Sequence, residues 1–297
     1  MKQYLGIDLG ASGFKYGVGD SKHGLQHFAN IRIRNKSLEE LADIFAQILD
    51  DTRNMKIAGI GIGCPGTLHM ADAKLVGKNP NLPELTGISV KELLPEHLAL
   101  PIWVENDANL MALAEASLID PSVVIGITVG SGIGCGIIQD QQIYHGAHGF
   151  AAEPGHCIMV PDGELCSCGQ KGCLEAYSSV DGIRRRLRDL NSIYHDLNLP
   201  DLIFKRKEVK EIDQVITQGE EILIRALANL ITVLDPQTVV LGGGAMELGL
   251  YSITHIQQQV LQYIPLAHRE IVNIALARYK NQAGIMGAIL LCERSAG

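Results

Sequence analysis

Four of the seven cysteines fall between Cys157 and Cys173, inside the stretch EPGHCIMVPDGELCSCGQKGCLEAYSS. Thiols crowded in this way either pair as disulfides or bind a soft cation. An odd number of cysteines cannot all pair, and the pattern favours metal ligation. Cys166, Cys168 and Cys173 are separated by Gly169 and Gly172. These glycines allow the tight backbone needed to bring three thiolates to one centre about 2.3 Å from each sulfur. His156 precedes Cys166, and the intervening IMVPDG reads as a short strand ending in a Pro-Asp-Gly turn that returns the chain to the same place. His156, Cys166, Cys168 and Cys173 then make a closed Cys3His site, which has no open position for water and therefore holds structural Zn2+. The alternative is a set of buried thiols around a glycine-rich loop. Cys157 is adjacent to His156, points elsewhere in an extended segment and is read as a core residue.

The elements around this cluster follow from composition and periodicity. The 297 residues are 46% hydrophobic, enough for packed cores, and carry 25 Lys and Arg against 33 Asp and Glu, a formal charge of -8. Such a surface is not built to neutralise phosphate backbones, and nucleic acid is not expected as a partner. The opening MKQYLGIDLG lacks the apolar core of a secretory signal, and no run approaches the ~18 apolar residues of a membrane helix. The expected location is cytoplasmic, with no membrane partner.

QYLGIDL, FKYGVGD and FANIRIR read as three successive strands, followed by the amphipathic helix SLEELADIFAQILDDT with Ser37 as its cap and Glu40 three residues on. KIAGIGIGCPG is a buried strand entering a Pro-Gly turn, PIWVEN is another strand, and DANLMALAEASL is a helix beginning at Asp107. A second cycle follows, with strands VVIGITV, GCGIIQD and QIYHG, the cysteine loop, the helices SVDGIRRRLRDLN and EEILIRALANLITVLD, and the strand TVVLGGG. The reading is two α/β halves. The first is 1–118, with a C-terminal helix 284–297 packing back on it, and the second is 119–283, carrying the cysteine loop.

Three glycine-rich turns follow strands and could present backbone N–H groups to phosphate. They are IDLGASGFK, ITVGSGIGCG and VVLGGGA. None has the spacing and context of a dinucleotide-binding fingerprint, and the Walker pattern is missing. Each alone is a tight turn. Two strand-turn-strand loops, one per half, describe the nucleotide clamp of the actin and hexokinase fold.

Together these motifs resemble the ROK family of bacterial sugar kinases and related repressors, whose signature reads E-x-G-H followed by C-x-C-G-x-x-G-C-x-E. The match also takes in IDLGASGFK, CPGTLH, VENDAN, TVGSGIGCGI, VVLGGGA and AGIMGAILL, in the family's order. The resemblance implies a two-domain actin/hexokinase-like (ribonuclease H-like) ATPase fold with a cleft between domains, and a homodimer. It implies an ATP- and Mg2+-dependent kinase acting on a hexose, most simply glucose at the 6-hydroxyl. An allose or N-acetylmannosamine kinase, and a catalytically silent sugar sensor, are the alternatives.

The same resemblance assigns roles. Asp107 would be the general base. Gly66, Asn81, Asn106, Glu153, His156 and Glu175 would hold sugar hydroxyls, so that His156 serves both metal and sugar. Asp8, Gly10, Ser12, Lys15, Thr128, Gly130, Ser131, Gly132, Gly242, Gly243 and Gly244 would line the nucleotide, with Ser12 standing where the family has a threonine. Plainer readings exist for several of these. Asp107 suits a helix N-cap, Glu175 a first-turn helix acid, Lys15 a solvated strand residue, and Asn79 and Asn81 turn positions.

Overall fold

A computed structural model describes residues 2–10, 13–69, 71–77, 82–119, 122–194 and 196–296. In chain order the elements are β1 (Gln3–Gly10), β2 (Gly13–Asp20), β3 (Gly24–Arg32), α1 (Leu38–Thr52), β4 (Ile57–Cys64), β5 (Thr67–His69), β6 (Lys74–Val76), β7 (Ile102–Asn106) and α2 (Asp107–Ala116). Then come β8 (Val123–Val129), β9 (Ile133–Gln139), β10 (Gln142–Ile143), α3 (Leu174–Ser178), α4 (Val180–Leu190), α5 (Leu199–Lys205) and α6 (Lys210–Leu234). The chain finishes with β11 (Thr238–Gly242), α7 (Gly244–Glu247), α8 (Ile253–Tyr263), α9 (Leu266–Arg269), β12 (Asn273–Leu276) and α10 (Ala283–Ser295). Among the described residues no helix is long and apolar enough to cross a membrane.

The chain groups into two compact units, Met1–Ile119 with Gln142–Ala151 and Asn281–Gly297, and Asp120–Gln141 with Ala152–Lys280. In the first unit the sheet order is β3-β2-β1-β4-β7, with β1, β4 and β7 parallel and β2 and β3 antiparallel. The sequence division at residue 119 leaves Gln142–Ala151 with the second half. The structure groups this segment with the first unit, where the His145 imidazole bonds the Glu105 carboxylate of β7 at 2.7 Å.

The first unit is built on a division of labour between the two faces of its sheet. In LGIDLG and GIGIGC, bulky residues alternate with glycine, and side chains on a strand alternate between faces. Leu5, Ile7, Leu9, Ile60 and Ile62 therefore bury against α1, whose Phe45 meets Phe14 edge to face at 4.9 Å between ring centres. The opposite face is floored by glycine and receives α10. A Cβ at Gly6 would stand 2.4 Å from the Ile285 carbonyl oxygen, and one at Gly61 would stand 2.2 Å from that of Ala288. At Gly287 a Cβ would stand 2.0 Å from the Leu110 carbonyl oxygen, so α10 touches α2 backbone to backbone as well.

In the second unit β9, β8, β11 and β12 neighbour one another in that order, with β8-β9 antiparallel and β8-β11-β12 parallel. Its core is a continuous cluster including Ile125, Ile127, Leu223, Leu227, Leu241 and Tyr251. Three local expectations change. The helix α6 begins at Lys210 rather than near Glu220 and runs for 25 residues. The glycine turn after β11 leads into a helix of only four residues. The segment after Cys157 forms no strand, only isolated bridges such as Ile158 to Cys173, because its amides at Met159 and Val160 both turn to the Gly172 carbonyl.

The glycine floor yields a test. Gly61→Ala leaves no space for the new methyl against a helix backbone that cannot rotate away. Overpacking of this kind costs roughly 1–3 kcal/mol. A loss of that size is expected in urea unfolding, and an unchanged midpoint would show that α10 yields freely.

Candidate active site and metal centre

In the first unit the chain passes from β7 into α2 through Glu105, Asn106 and Asp107, and each side chain has a different task. Asn106 is the N-cap of α2. Its Oδ1 accepts from the amides of Ala108 at 2.9 Å and Asn109 at 3.1 Å, and its Nδ2 donates to the Gly66 carbonyl at 3.0 Å. Cap geometry thus belongs to Asn106, and Asp107 occupies the first helical position, with its Oδ1 at 2.8 Å from the Ala108 amide. Gly66 adopts φ 99°, a left-handed backbone that favours glycine, and this turns its carbonyl toward Asn106.

Glu105 was not singled out by its sequence position, yet it organises the loop. It is 1% exposed. Its Oε1 accepts from the Asn106 amide at 2.8 Å and from Asn109 Nδ2 at 2.9 Å, and Oε2 pairs with His145 Nε2 at 2.7 Å. A carboxylate this deep is tolerable only when hydrogen bonds and a partner charge compensate its lost hydration. The bond to Glu105 raises the pKa of His145 above the ordinary imidazole value, against the opposing effect of burial.

The first glycine turn belongs to the same unit. Asp8 and Lys15 are opposite one another on β1 and β2, with Lys15 Nζ 3.9 Å from Asp8 Oδ2 and 3.4 Å from Asn281 Oδ1. Burial raises the Asp8 pKa, and Lys15 acts in the lowering direction. A Cβ at Gly284 would stand 2.7 Å from the Asp8 carboxyl carbon, so the first turn of α10 presses directly on this group. Gly10 pairs with Gly13 at the end of the hairpin. Ser12, together with Ala11, and Asn81, together with Asn79, lie outside the described residues.

The second unit brings the other two glycine turns together. Gly130 to Gly132 follow Thr128 and Val129 of β8, and Ser131 is exposed at the tip. Gly243, at φ 87°, follows Gly242 and precedes Gly244, and a Cβ on it would stand 2.5 Å from the Val129 carbonyl oxygen. Only glycine lets the β11 turn approach the β8 turn so closely.

His156, Cys166, Cys168 and Cys173 converge, their ligand atoms all within 4.8 Å of one another. Cys168 Sγ and Cys173 Sγ are 3.7 Å apart, as are Cys166 Sγ and His156 Nδ1. Tetrahedral zinc with bonds of about 2.3 Å to sulfur separates its thiolates by about 3.8 Å, so the donor set fits that ion. Gly169 and Gly172 adopt φ 94° and 82°, and a Cβ at Gly172 would stand 1.8 Å from the Val160 carbonyl oxygen. Burial pushes the Cys173 thiol up to about 12, and the Cys166 thiol is raised for the same first reason. Thiols held in this way become thiolates when a cation displaces their protons. With Nδ1 facing the sulfurs, Nε2 of His156 is the ring nitrogen left for another partner.

Cys157 is exposed rather than core. Residues 154–156 form a 3-10 turn instead of an extended segment, which rotates Cys157 outward. Glu153 caps that turn by backbone position and is exposed, as is His156. Glu175 is half-buried on α3, with Oε2 accepting from the Ile133 amide at 3.0 Å and Oε1 from the Ser167 hydroxyl at 2.8 Å. Ser167, Ile133 and Glu105 lie inside the matched motifs, yet neither they nor His145 were singled out by them.

Two outcomes are expected. Cys168→Ser should lower metal content from about one zinc per chain and loosen the 156–173 loop, since the ion contributes folding energy there. Metal analysis with limited proteolysis reads both. His145 has a folded pKa above its unfolded value of about 6.5, so its pairing with Glu105 stabilises fully below that pH and is lost as pH rises through the raised folded value. His145→Gln should therefore cost most stability near pH 6 and progressively less in alkali. The effect should be about 1 kcal/mol or less, because 34% of the imidazole remains exposed. A difference that grows with pH would contradict the assignment.

Comparison with known proteins bears on the family and the fold. The ROK family profile matches residues 4–295. The chain is 27% identical to a glucokinase of Thermotoga maritima over 99% of this chain and 98% of that protein. It is 26% identical to a xylose repressor of Caldicellulosiruptor bescii over 97% of this chain and 77% of the repressor. Its fold is that of a ROK hexokinase from Thermus thermophilus, with a TM-score of 0.81 at 26% identity, covering 99% of this chain and 100% of that one. A mixed α/β chain with two five-stranded sheets, three glycine turns and this Cys/His cluster, matched along nearly its whole length, belongs to the ROK family.

Proposed function

We propose that this chain is a sugar kinase that transfers the γ-phosphoryl group of ATP to a hexose, in the first instance to the 6-hydroxyl of glucose. The observation that carries this reading is the fixed loop around Asp107. Asn106 caps α2 and bonds Gly66, Glu105 locks the loop from behind, and the Asp107 carboxylate is left at the first turn of the helix. Phosphoryl transfer asks for positioning and a base rather than covalent chemistry, and a loop so constrained supplies both.

In the proposed step Asp107 accepts the proton of the sugar hydroxyl as its oxygen bonds the γ-phosphorus. The bond from that phosphorus to the bridging oxygen breaks, and ADP leaves. Gly66, Asn81, Asn106, Glu153, His156 and Glu175 are assigned to the sugar. Asp8, Gly10, Ser12, Lys15 and the Thr128–Gly132 and Gly242–Gly244 turns are assigned to the nucleotide. Mg2+ carried with the nucleotide supplies charge neutralisation at the phosphates, and Asp8, beside Lys15, is the carboxylate at that turn. Zinc at the Cys/His cluster is assigned a structural role.

A second reading, a sugar-responsive protein without kinase activity, is carried by the similarity to a xylose repressor. The segments NPNLPELT and YHGAHG resemble allose kinases of the family, which makes allose the next substrate to try, with N-acetylmannosamine after it. An ADP-release assay over a panel of hexoses separates these cases. Asp107→Asn keeps shape and hydrogen bonding but removes the basic oxygen, and is expected to lower turnover by roughly 10²–10⁴-fold. Calorimetric sugar affinity should change far less. Turnover preserved within about tenfold would remove Asp107 from the role of base.

A further inference from the structure

We infer that Glu175, with the short helix that carries it, is a strut between the cysteine-rich loop and the glycine turn after β8, through which the metal centre sets the shape of that turn and its affinity for nucleotide. The functional part of this inference rests on the proposed reading of the turn as a phosphate loop. Its structural part does not.

The strut begins at a metal ligand. Cys173, which supplies one sulfur, is the N-cap of α3, and Glu175 stands in the first turn of the same helix. Oε1 of Glu175 accepts from Ser167, which stands between the ligands Cys166 and Cys168, and Oε2 accepts from the amide of Ile133, the residue that leaves the glycine turn. The following residues add two further ties, from the Val180 amide to the Gly130 carbonyl at 2.9 Å and from the Asp181 amide to the Ser131 carbonyl at 3.3 Å. The segment 175–181 thus holds Gly130, Ser131 and Ile133 in succession.

The other side of the metal centre reaches the same residue. Gly155 is adjacent to the ligand His156, and a Cβ there would stand 2.6 Å from the Ile133 carbonyl oxygen. Ile133 is therefore held at its amide by Glu175 and hemmed at its carbonyl by the His156 turn. A Cβ on Gly132 would stand 2.6 Å from Glu175 Oε2, so the turn closes directly on the carboxylate. The Gly130 amide bonds the Gly132 carbonyl at 2.9 Å and the Ile133 amide bonds Glu175. Between these two fixed points stand the amides of Ser131 and Gly132, and it is their direction that the strut determines. A carboxylate offers about four acceptor positions, so three protein contacts, Cys166 Sγ at 3.9 Å from Oε1 among them, leave Glu175 able to take a sugar hydroxyl as well.

The test compares wild type, Glu175→Leu and Ser167→Ala, each with metal bound and after chelation. A leucine keeps much of the side-chain bulk but accepts neither hydrogen bond, whereas a glutamine could keep both by accepting from Ile133 and donating to the Ser167 hydroxyl. Hydrogen exchange over residues 128–134 reads the turn without any ligand. Chelation should speed exchange there in wild type, and Glu175→Leu should show fast exchange while keeping about one zinc per chain. Calorimetry with ADP and Mg2+ should give affinity roughly tenfold weaker for Glu175→Leu, and several-fold weaker for Ser167→Ala with glucose affinity unaltered. Chelation should weaken ADP binding in wild type but add little in Glu175→Leu, because the path is already cut. Wild-type exchange indifferent to chelation overturns the strut. Exchange that responds while wild type binds no ADP leaves the strut in place and overturns the kinase reading instead. Loss of glucose affinity alone would make Glu175 a sugar ligand without this second role.

Discussion

Backbone touching backbone between α10 and the sheet of the first unit is the constraint from which much of its chemistry follows. Helices usually stand off from a sheet by the thickness of two side-chain layers. Here Gly6 and Gly61 remove one of those layers, and Gly287 removes it again between α10 and α2. The result is that α10 presses simultaneously on β1, where Asp8 meets Gly284, and on α2, whose first turn bears Asp107. Two carboxylates far apart in sequence are referenced to one rigid helix. Close packing transmits position well because interiors have little free volume in which to relax.

Polar groups do comparable work on a smaller scale. Glu105 in the first unit and Glu175 in the second are each anchored by one backbone amide and one side chain, with one of the two partners in each case some forty residues away. A buried or half-buried carboxylate that needs several donors specifies geometry, since a shift that breaks one bond leaves a charge without compensation. Apolar contacts would tolerate the same shift with a modest loss. Both acids therefore stand where loops of irregular backbone must keep one shape.

The parts of this architecture that could be read in advance are those encoded within a short span. Short apolar runs ending in turn residues marked β1 and β4, Ser37 and Glu40 marked the start of α1, and the spacing of Cys166, Cys168, Cys173 and His156 marked the metal cluster. The cluster is legible because few residues separate its ligands and glycines dictate the turns between them. What stayed hidden depends on long closures. Glu105 meets His145 and Glu175 meets Ile133 across some forty residues, and nothing local in VEND or GIGC announces either partner. Cys157 was misplaced by a single local choice, because a 3-10 turn in place of an extended segment rotates its side chain from core to surface. The small β5-β6 hairpin and the early start of α6 were missed for a related reason, their short or weakly patterned sequences being settled by tertiary contacts.

The return of α10 to the first unit also bears on how the polypeptide reaches this shape as it is made. Most of the first unit emerges early, but the helix that covers its glycine floor is synthesised only after the second unit. The second unit is nearly continuous from Ala152 to Lys280, and its residues are all available before α10 leaves the ribosome. Units generally fold when their residues are complete, so completion runs in the reverse of numerical order. Until then the sheet face floored by Gly6 and Gly61 is uncovered, and transiently exposed surface of this kind is prone to non-native association. During the interval between the synthesis of β4 and that of α10, a nascent chain thus has the sheet of its first unit without the helix that covers one face of it.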